Sequence, residues 1–154
     1  MVITFVGHSC LNNSPRLTEY IEKAIVSSVK DNGSVMFYCG GYGDFDNLCA
    51  RVCRKLQYRY KNCEIALITP YITESHQKKL QALQSAHKYD TIIYPPLEKV
   101  PPRFAISKRN EWMIEQADVV IAYVRNSYGG ARQTLKYAKR KKKVIINLAD
   151  CDGI

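Results

Sequence analysis

Short, nearly unbroken apolar runs alternate with longer stretches of helical periodicity along the whole chain, and this alternation constrains the fold more than any other feature. The runs Ile3–Val6, Ser34–Cys39, Glu64–Thr69, Asp90–Tyr94, Asp118–Val124 and Lys143–Leu148 read as strands. Between them, apolar spacing near 3.6 predicts helices. In the first of these, Leu17, Tyr20, Ile21, Ala24, Ile25 and Val29 share an inward face. Asn13-Ser14-Pro15 reads as its cap and first turn, and Asp31-Asn32-Gly33 as its stop. The others are predicted over Phe45–Tyr60, Glu74–His87, Ala105–Gln116 and Gly130–Lys141. A strand that is apolar on both faces must be covered on both, so the pattern implies a mainly parallel sheet with helices above and below. Right-handed crossovers then give an α/β three-layer Rossmann-like sandwich of about six strands. A length of 154 residues suits one domain spanning 1–154, with a sizeable core.

Segment Pro95–Pro102 holds four prolines and reads as a lid or rim loop. No apolar run reaches the length of a membrane span, and MVITFVGHSC lacks the basic flank of a signal peptide. The six cysteines are therefore expected as reduced thiols in a cytoplasmic setting. Cys49 and Cys53 share a helix face, but no further ligands stand at metal-binding spacing, so no metal is expected. The net charge is +9, and eight basic residues with no acid lie between Arg125 and Lys143. That segment reads either as a solvated helix side with cations near its C-terminus or as a phosphate-binding surface. Its Lys143-proximal run, KRKKK, lacks the interleaved aromatics of a single-strand groove.

In a doubly wound sheet, ligands sit at the carboxyl ends of the strands. Gly7-His8-Ser9 follows the first strand, Gly40-Gly41-Tyr42-Gly43 the second, Thr69-Pro70-Tyr71 the third and Arg125–Gly130 the fifth. Two of these are glycine-rich loops that enter helices, where unpartnered N–H groups and the helix dipole favour anions. The G-x-G-x-x-G fingerprint of dinucleotide dehydrogenases is absent. His8 reads as a general acid, a ligand contact or a bland strand-end residue. Asp46 reads as a ribose contact or a helix cap. Arg109-Asn110 is placed to meet a phosphate, and Tyr42 and Tyr128 are placed to stack on a base.

The order GGYGDFD, KRNEWMIEQADVVIAYV and SYGGARQTLKYAKRKKKVIINL resembles the SLOG superfamily, which includes the Lonely Guy phosphoribohydrolases and the DNA-processing Smf proteins. Within that group the chain is most similar to a small bacterial family related to the YpsA proteins. The resemblance spans nearly the whole chain. It implies a Rossmann-like fold and a ligand site over Gly7, His8, Gly40, Gly41, Tyr42, Gly43, Asp46, Arg109, Asn110, Ser127, Tyr128, Gly129 and Gly130. It also implies a possible homodimer in a bacterial or phage setting. The Lonely Guy signature P-G-G-x-G-T-x-x-E is matched by SYGGARQTLKYA, which lacks its proline, threonine and glutamate. The earlier loop has Asn47 where that spacing asks for glutamate, with Asp46 beside it.

Three functions follow as expectations. The first is binding of a nucleotide or ADP-ribose-type ligand, as a sensor or sequestering protein, which agrees with the immune-signalling SLOG domains that recognise cyclic ADP-ribose-like signals. The second is an N-glycosidase acting on nucleoside monophosphates or related nucleotides, with Asp46 and Glu111 as catalytic carboxylates. The third is single-stranded nucleic-acid binding, as in the Smf branch. The expected partner is a nucleotide-derived small molecule, with no cofactor and no membrane, and with nucleic acid ranked last among the partners.

Overall fold

A computed structural model of the protein describes residues 1–12, 15–30 and 33–151. The strands are β1 (Val2–Gly7), β2 (Val35–Cys39), β3 (Cys63–Ile68), β4 (Thr91–Ile93), β5 (Val119–Tyr123) and β6 (Val144–Asn147). The helices are α1 (Pro15–Val29), α2 (Asp44–Leu56), α3 (Glu74–Ser85), α4 (Ala105–Gln116) and α5 (Gly130–Arg140). Pro15 opens α1; the rest of its expected cap, Asn13-Ser14, and the Asp31-Asn32 stop lie outside the described residues. Helix α2 stops at Leu56, short of the expected Tyr60, because the N–H groups of Tyr58 and Arg59 turn back to carbonyls three residues earlier.

All six strands are parallel, in the order β4-β3-β2-β1-β5-β6. Central β1 pairs Ile3 with both Phe37 and Val119. Every residue of β5 is buried, as a strand covered on both faces requires. The edge strands are less enclosed, and Val144 opens β6 largely exposed.

The sheet's two faces carry separate cores. On one, Ile3, Phe5, Phe37, Ile65 and Ile121 meet Leu17, Ile21 and Ile25 of α1, Phe45, Cys49 and Cys53 of α2, and Leu80 of α3. On the other, Val6, Val120 and Ala122 meet Ile114 of α4 and Leu135 and Ala138 of α5. Met113 closes over Ala66 and Ile68, and Trp112 stacks on Tyr38 with ring centroids 5.7 Å apart. This is the three-layer α/β Rossmann-like architecture. Helix α1 leaves β1 toward one face and α5 leaves β5 toward the other, so their strand ends diverge at a topological switch point. Among the described residues, no helix is long and apolar enough to cross a membrane.

The six cysteines are free thiols. Cys39, Cys49 and Cys53 are fully buried, and burial pushes each thiol well above its ordinary range. They pack as small apolar groups.

Candidate functional site

A crevice of about 750 Å³ opens at the switch point, beneath α4 and beside the start of α5. Val6 of β1, Ile106, Met113 and Ile114 of α4, and Ala131 of α5 supply its apolar surface. His8, Asp46, Arg109, Asn110 and Thr134 supply polar groups. Tyr42 and Tyr128 also line it and are 75% and 74% exposed, so their rings are free at the mouth.

The first glycine loop is closed by its neighbours. The N–H groups of Asp44 and Phe45, which open α2, donate to the Ser9 carbonyl at 2.8 Å and the His8 carbonyl at 3.4 Å. Asp44 Oδ2 accepts the Leu11 N–H at 2.9 Å. The β1–α1 loop therefore caps α2 with its own backbone, and this helix start is not free to hold an anion. Gly43, at φ 93°, brings its Cα so near Ser9 that a β-carbon would stand 2.8 Å from the Ser9 Cα. Gly41, at φ 75°, leaves no room beside Leu67, and a β-carbon on Gly7 would overlap the ring of Phe45. These glycines let three loops and α2 pack together. Of these three, only Gly7 lines the crevice, and of the loop Gly40–Gly43, only Gly40 and Tyr42 do.

Asp46 fastens this loop. Its Oδ1 accepts the Gly40 N–H at 3.0 Å and its Oδ2 the Gly41 N–H at 2.6 Å. Burial raises its pKa, against the opposing pull of those two amides and the charges of Arg109 and Lys88. Both carboxylate oxygens thus have structural partners.

Arg109 is only 4% exposed. Its Nη1 donates to the carbonyls of Gly40 and Ile68, each at 2.8 Å, and its Nε to Asn110 Oδ1 at 2.9 Å. Arg109 therefore joins α4 to the ends of β2 and β3. Its Nη2 makes none of the described hydrogen bonds, although the residue lines the crevice. Burial lowers its pKa, and nearby Asp46 and Tyr71 oppose that shift. A buried guanidinium with one uncommitted nitrogen is a favourable anion contact.

His8 holds the two halves of the sheet together at their carboxyl ends. Its Nε2 accepts the Arg125 N–H at 2.9 Å and lies 3.5 Å from the Asn126 N–H. Accepting through Nε2 requires the neutral ring with its proton on Nδ1. Burial, then the charges of Arg132 and Arg125, lower its pKa. In this role His8 is a positioning residue.

The second glycine loop is open. Gly129, at φ 95°, precedes α5, and no side chain caps the helix. A β-carbon on Gly129 or Gly130 would meet nothing within 4 Å. The N–H groups of Gly130, Ala131 and Arg132 have no acceptor among the described hydrogen bonds. The α5 start therefore carries unpartnered donors and the positive end of its dipole at the crevice edge.

Of the residues expected from sequence, the crevice gathers Gly7, His8, Gly40, Tyr42, Asp46, Arg109, Asn110, Tyr128, Gly129 and Gly130. It does not gather Gly41, Gly43, Ser127 or Glu111. Glu111 pairs with Lys108 at 3.0 Å instead. Sequence reasoning placed Arg125 at this strand end, and missed Thr134 and Ile106 as lining residues. Thr134 was detectable, since four residues past Gly130 is one helical turn on the same side. Ile106 resembled an ordinary core position, and nothing local marked it.

No protein-family model matches the chain, and no curated protein matches it in sequence. Among solved structures, it is similar to DNA processing protein A from Helicobacter pylori, a structure described for its single-stranded DNA binding mode. The TM-score is 0.61 at 15% identity, covering 94% of this chain and 63% of that one. The likeness shows the fold. This chain spans less than two thirds of that neighbour's length. The shared α/β Rossmann-like architecture agrees, at that coarse level, with the SLOG resemblance.

Proposed function

We propose that the protein binds a nucleotide-class ligand, a base joined through a sugar to phosphate, in the switch-point crevice and releases it intact. Nucleoside monophosphates and ADP-ribose-type molecules have the required chemistry, and the protein would act as a sensor or a sequestering module. The observation that carries this reading is the uncapped start of α5, which opens on a crevice with an apolar floor. Phosphate suits the Gly129–Gly130 donors and the free Arg109 nitrogen. A flat base suits the surface of Val6, Ile106 and Met113, or the exposed rings of Tyr42 and Tyr128.

Binding is favoured over cleavage because Asp46 is the one carboxylate among the described crevice residues, and both its oxygens are engaged. A glycosidase needs a free carboxylate at the ribose and usually an acid at the leaving base. The test is incubation with a panel of nucleoside monophosphates, NAD, ADP-ribose and cyclic ADP-ribose isomers. Mass spectrometry then reads both the protein-bound fraction and the solution. An intact bound ligand, lost in Gly130→Glu, supports the reading. Free base in solution overturns it in favour of the glycosidase.

A second reading is single-stranded nucleic-acid binding. The fold neighbour is described as a single-stranded DNA binder, and two exposed tyrosines stand at the crevice mouth, as stacking platforms for successive bases do. An oligothymidylate added to the same panel separates the two readings.

A further inference from the structure

We propose that the outer side of α5 is a phosphate-backbone track for single-stranded nucleic acid, leading from the Lys139–Lys142 end to the crevice mouth at Tyr128. The inference rests on the reading that the crevice takes nucleotides, and it adds a surface outside that crevice.

The helix presents Arg132, Lys136, Lys139 and Arg140, spaced i, i+4, i+7 and i+8, which places them on one side. Lys136, Lys139 and Arg140 are exposed, as are Lys141 and Lys142 just beyond the helix. None of these cations takes part in a described ion pair. The segment 125–143 itself contains no acid, and Glu115 of α4, which reaches it, accepts the Tyr137 hydroxyl. Successive cations i and i+4 lie about 6 Å apart along the axis. The stripe is therefore a linear array of positive charge, suited to a linear polyanion.

One end of this array meets the crevice. Arg132 lies two residues into α5, and its Nε donates to the Asn126 carbonyl at 2.6 Å, beside the open Gly129–Gly130 amides. Arg125 and Tyr128 line the crevice at the same place. Charge and aromatic surface are thus continuous from the track to the mouth, the combination that single-strand binders use.

An anionic membrane is the other partner such charge could attract. A helix that lies on a membrane presents apolar side chains to the acyl boundary. Here the buried apolar residues of α5, Leu135 and Ala138, are spent in the core, and its outer side offers cations instead. A polynucleotide fits better.

The test uses the full chain and fluorescence anisotropy with labelled dT20 over a series of salt concentrations. Its variants are Lys136→Gln combined with Lys139→Gln, which keep helix propensity, and Gly130→Glu, which blocks the crevice end. In the track variant, affinity should fall by roughly tenfold at low salt. The slope of log K against log salt should flatten by about 1.4, two phosphate contacts at about 0.7 each. Binding of a mononucleotide by the same variant should stay unchanged. Unaltered dT20 affinity and slope in the track variant would overturn the track. So would binding to phosphatidylserine vesicles with none to dT20. If Gly130→Glu leaves both mononucleotide and dT20 binding intact while the track variant weakens dT20, the crevice reading fails and the α5 surface stands.

Discussion

His8 and Arg125 are 117 positions apart in sequence, yet the Arg125 N–H donates to His8 Nε2 at 2.9 Å, locking the end of β1 to the end of β5. The bond requires a neutral imidazole. The ring's pKa lies below the ordinary 6.5 in the folded protein, through burial and two nearby arginines. A histidine whose folded pKa is depressed takes up its proton more readily when unfolded. Its contribution to stability is thus complete above 6.5 and is lost as the pH falls from there through the lowered folded value. On that descent the Arg125 amide loses its acceptor. The protection of the Arg125 and Asn126 amides, their exchange rate divided into the base-catalysed rate of an unstructured chain at the same pH, should fall below pH 6.5 in the native protein. A His8→Gln variant should show protection at both amides that is nearly independent of pH. Constant protection in the native protein across that range would remove His8 from this role.

Arg109 combines structure and recognition in one side chain. Replacing it by Met leaves the Gly40 and Ile68 carbonyls without their donor in a buried setting. Each abandoned group costs on the order of 1–3 kcal/mol, so urea denaturation should show a loss of about 3 kcal/mol. Ligand affinity should fall further than the loss of folded protein explains. Arg109→Lys keeps the charge but not the forked geometry, and should be intermediate in both measurements.

Gly7 makes a purely steric prediction. With the Phe45 ring against its Cα, Gly7→Ala forces either the ring or β1 to move. Overpacking of this kind typically costs about 1–3 kcal/mol. If the Phe45 ring is the cause, Phe45→Leu should recover part of that loss in the double variant, giving a measurable coupling energy. Independent, additive losses would place the strain elsewhere.

The strands and helices were legible because each carries its period locally. The β5 run DVVIAYV can only be a strand covered on both faces, and α1 shows its inward stripe from Leu17 to Val29. The strand ends that converge on the crevice followed from topology alone. What the sequence concealed was the unequal fate of the two glycine loops. GGYG and YGG look alike as anion sites, but whether a helix start is open depends on what the β1–α1 loop does. The Ser9 and His8 carbonyls close α2, whereas nothing described closes α5. The same is true in part of charge and aromaticity. Tyr128 and Arg132 are near in sequence, but Tyr42 reaches the same mouth from another strand. Tyr128 and Tyr137 already alternate with the cations along the chain, so only the share of Tyr42 required the fold.

Asp46 separates a loop clasp from a catalytic carboxylate. As a clasp, it needs two acceptor atoms, one each for the Gly40 and Gly41 amides. Asparagine offers one acceptor and turns an NH2 group toward the other amide, so Asp46→Asn should cost about 1–3 kcal/mol for the unsatisfied donor. The charge itself acts in the opposite direction. Burial raises the folded pKa of Asp46 above the unfolded value, so the native protein binds that proton more tightly. The favourable contribution of the protonated form is present below the unfolded pKa and is lost as the pH rises through the folded one. Removal of the carboxylate takes away this gain on acidification, so the acid limb of the stability–pH profile should steepen, while the unsatisfied amide lowers the plateau. Chemical denaturation from pH 3 to pH 8 reads both effects. If Asp46→Asn instead preserved stability and abolished a glycosidic turnover, the carboxylate would be acting on a ligand and the clasp would be secondary.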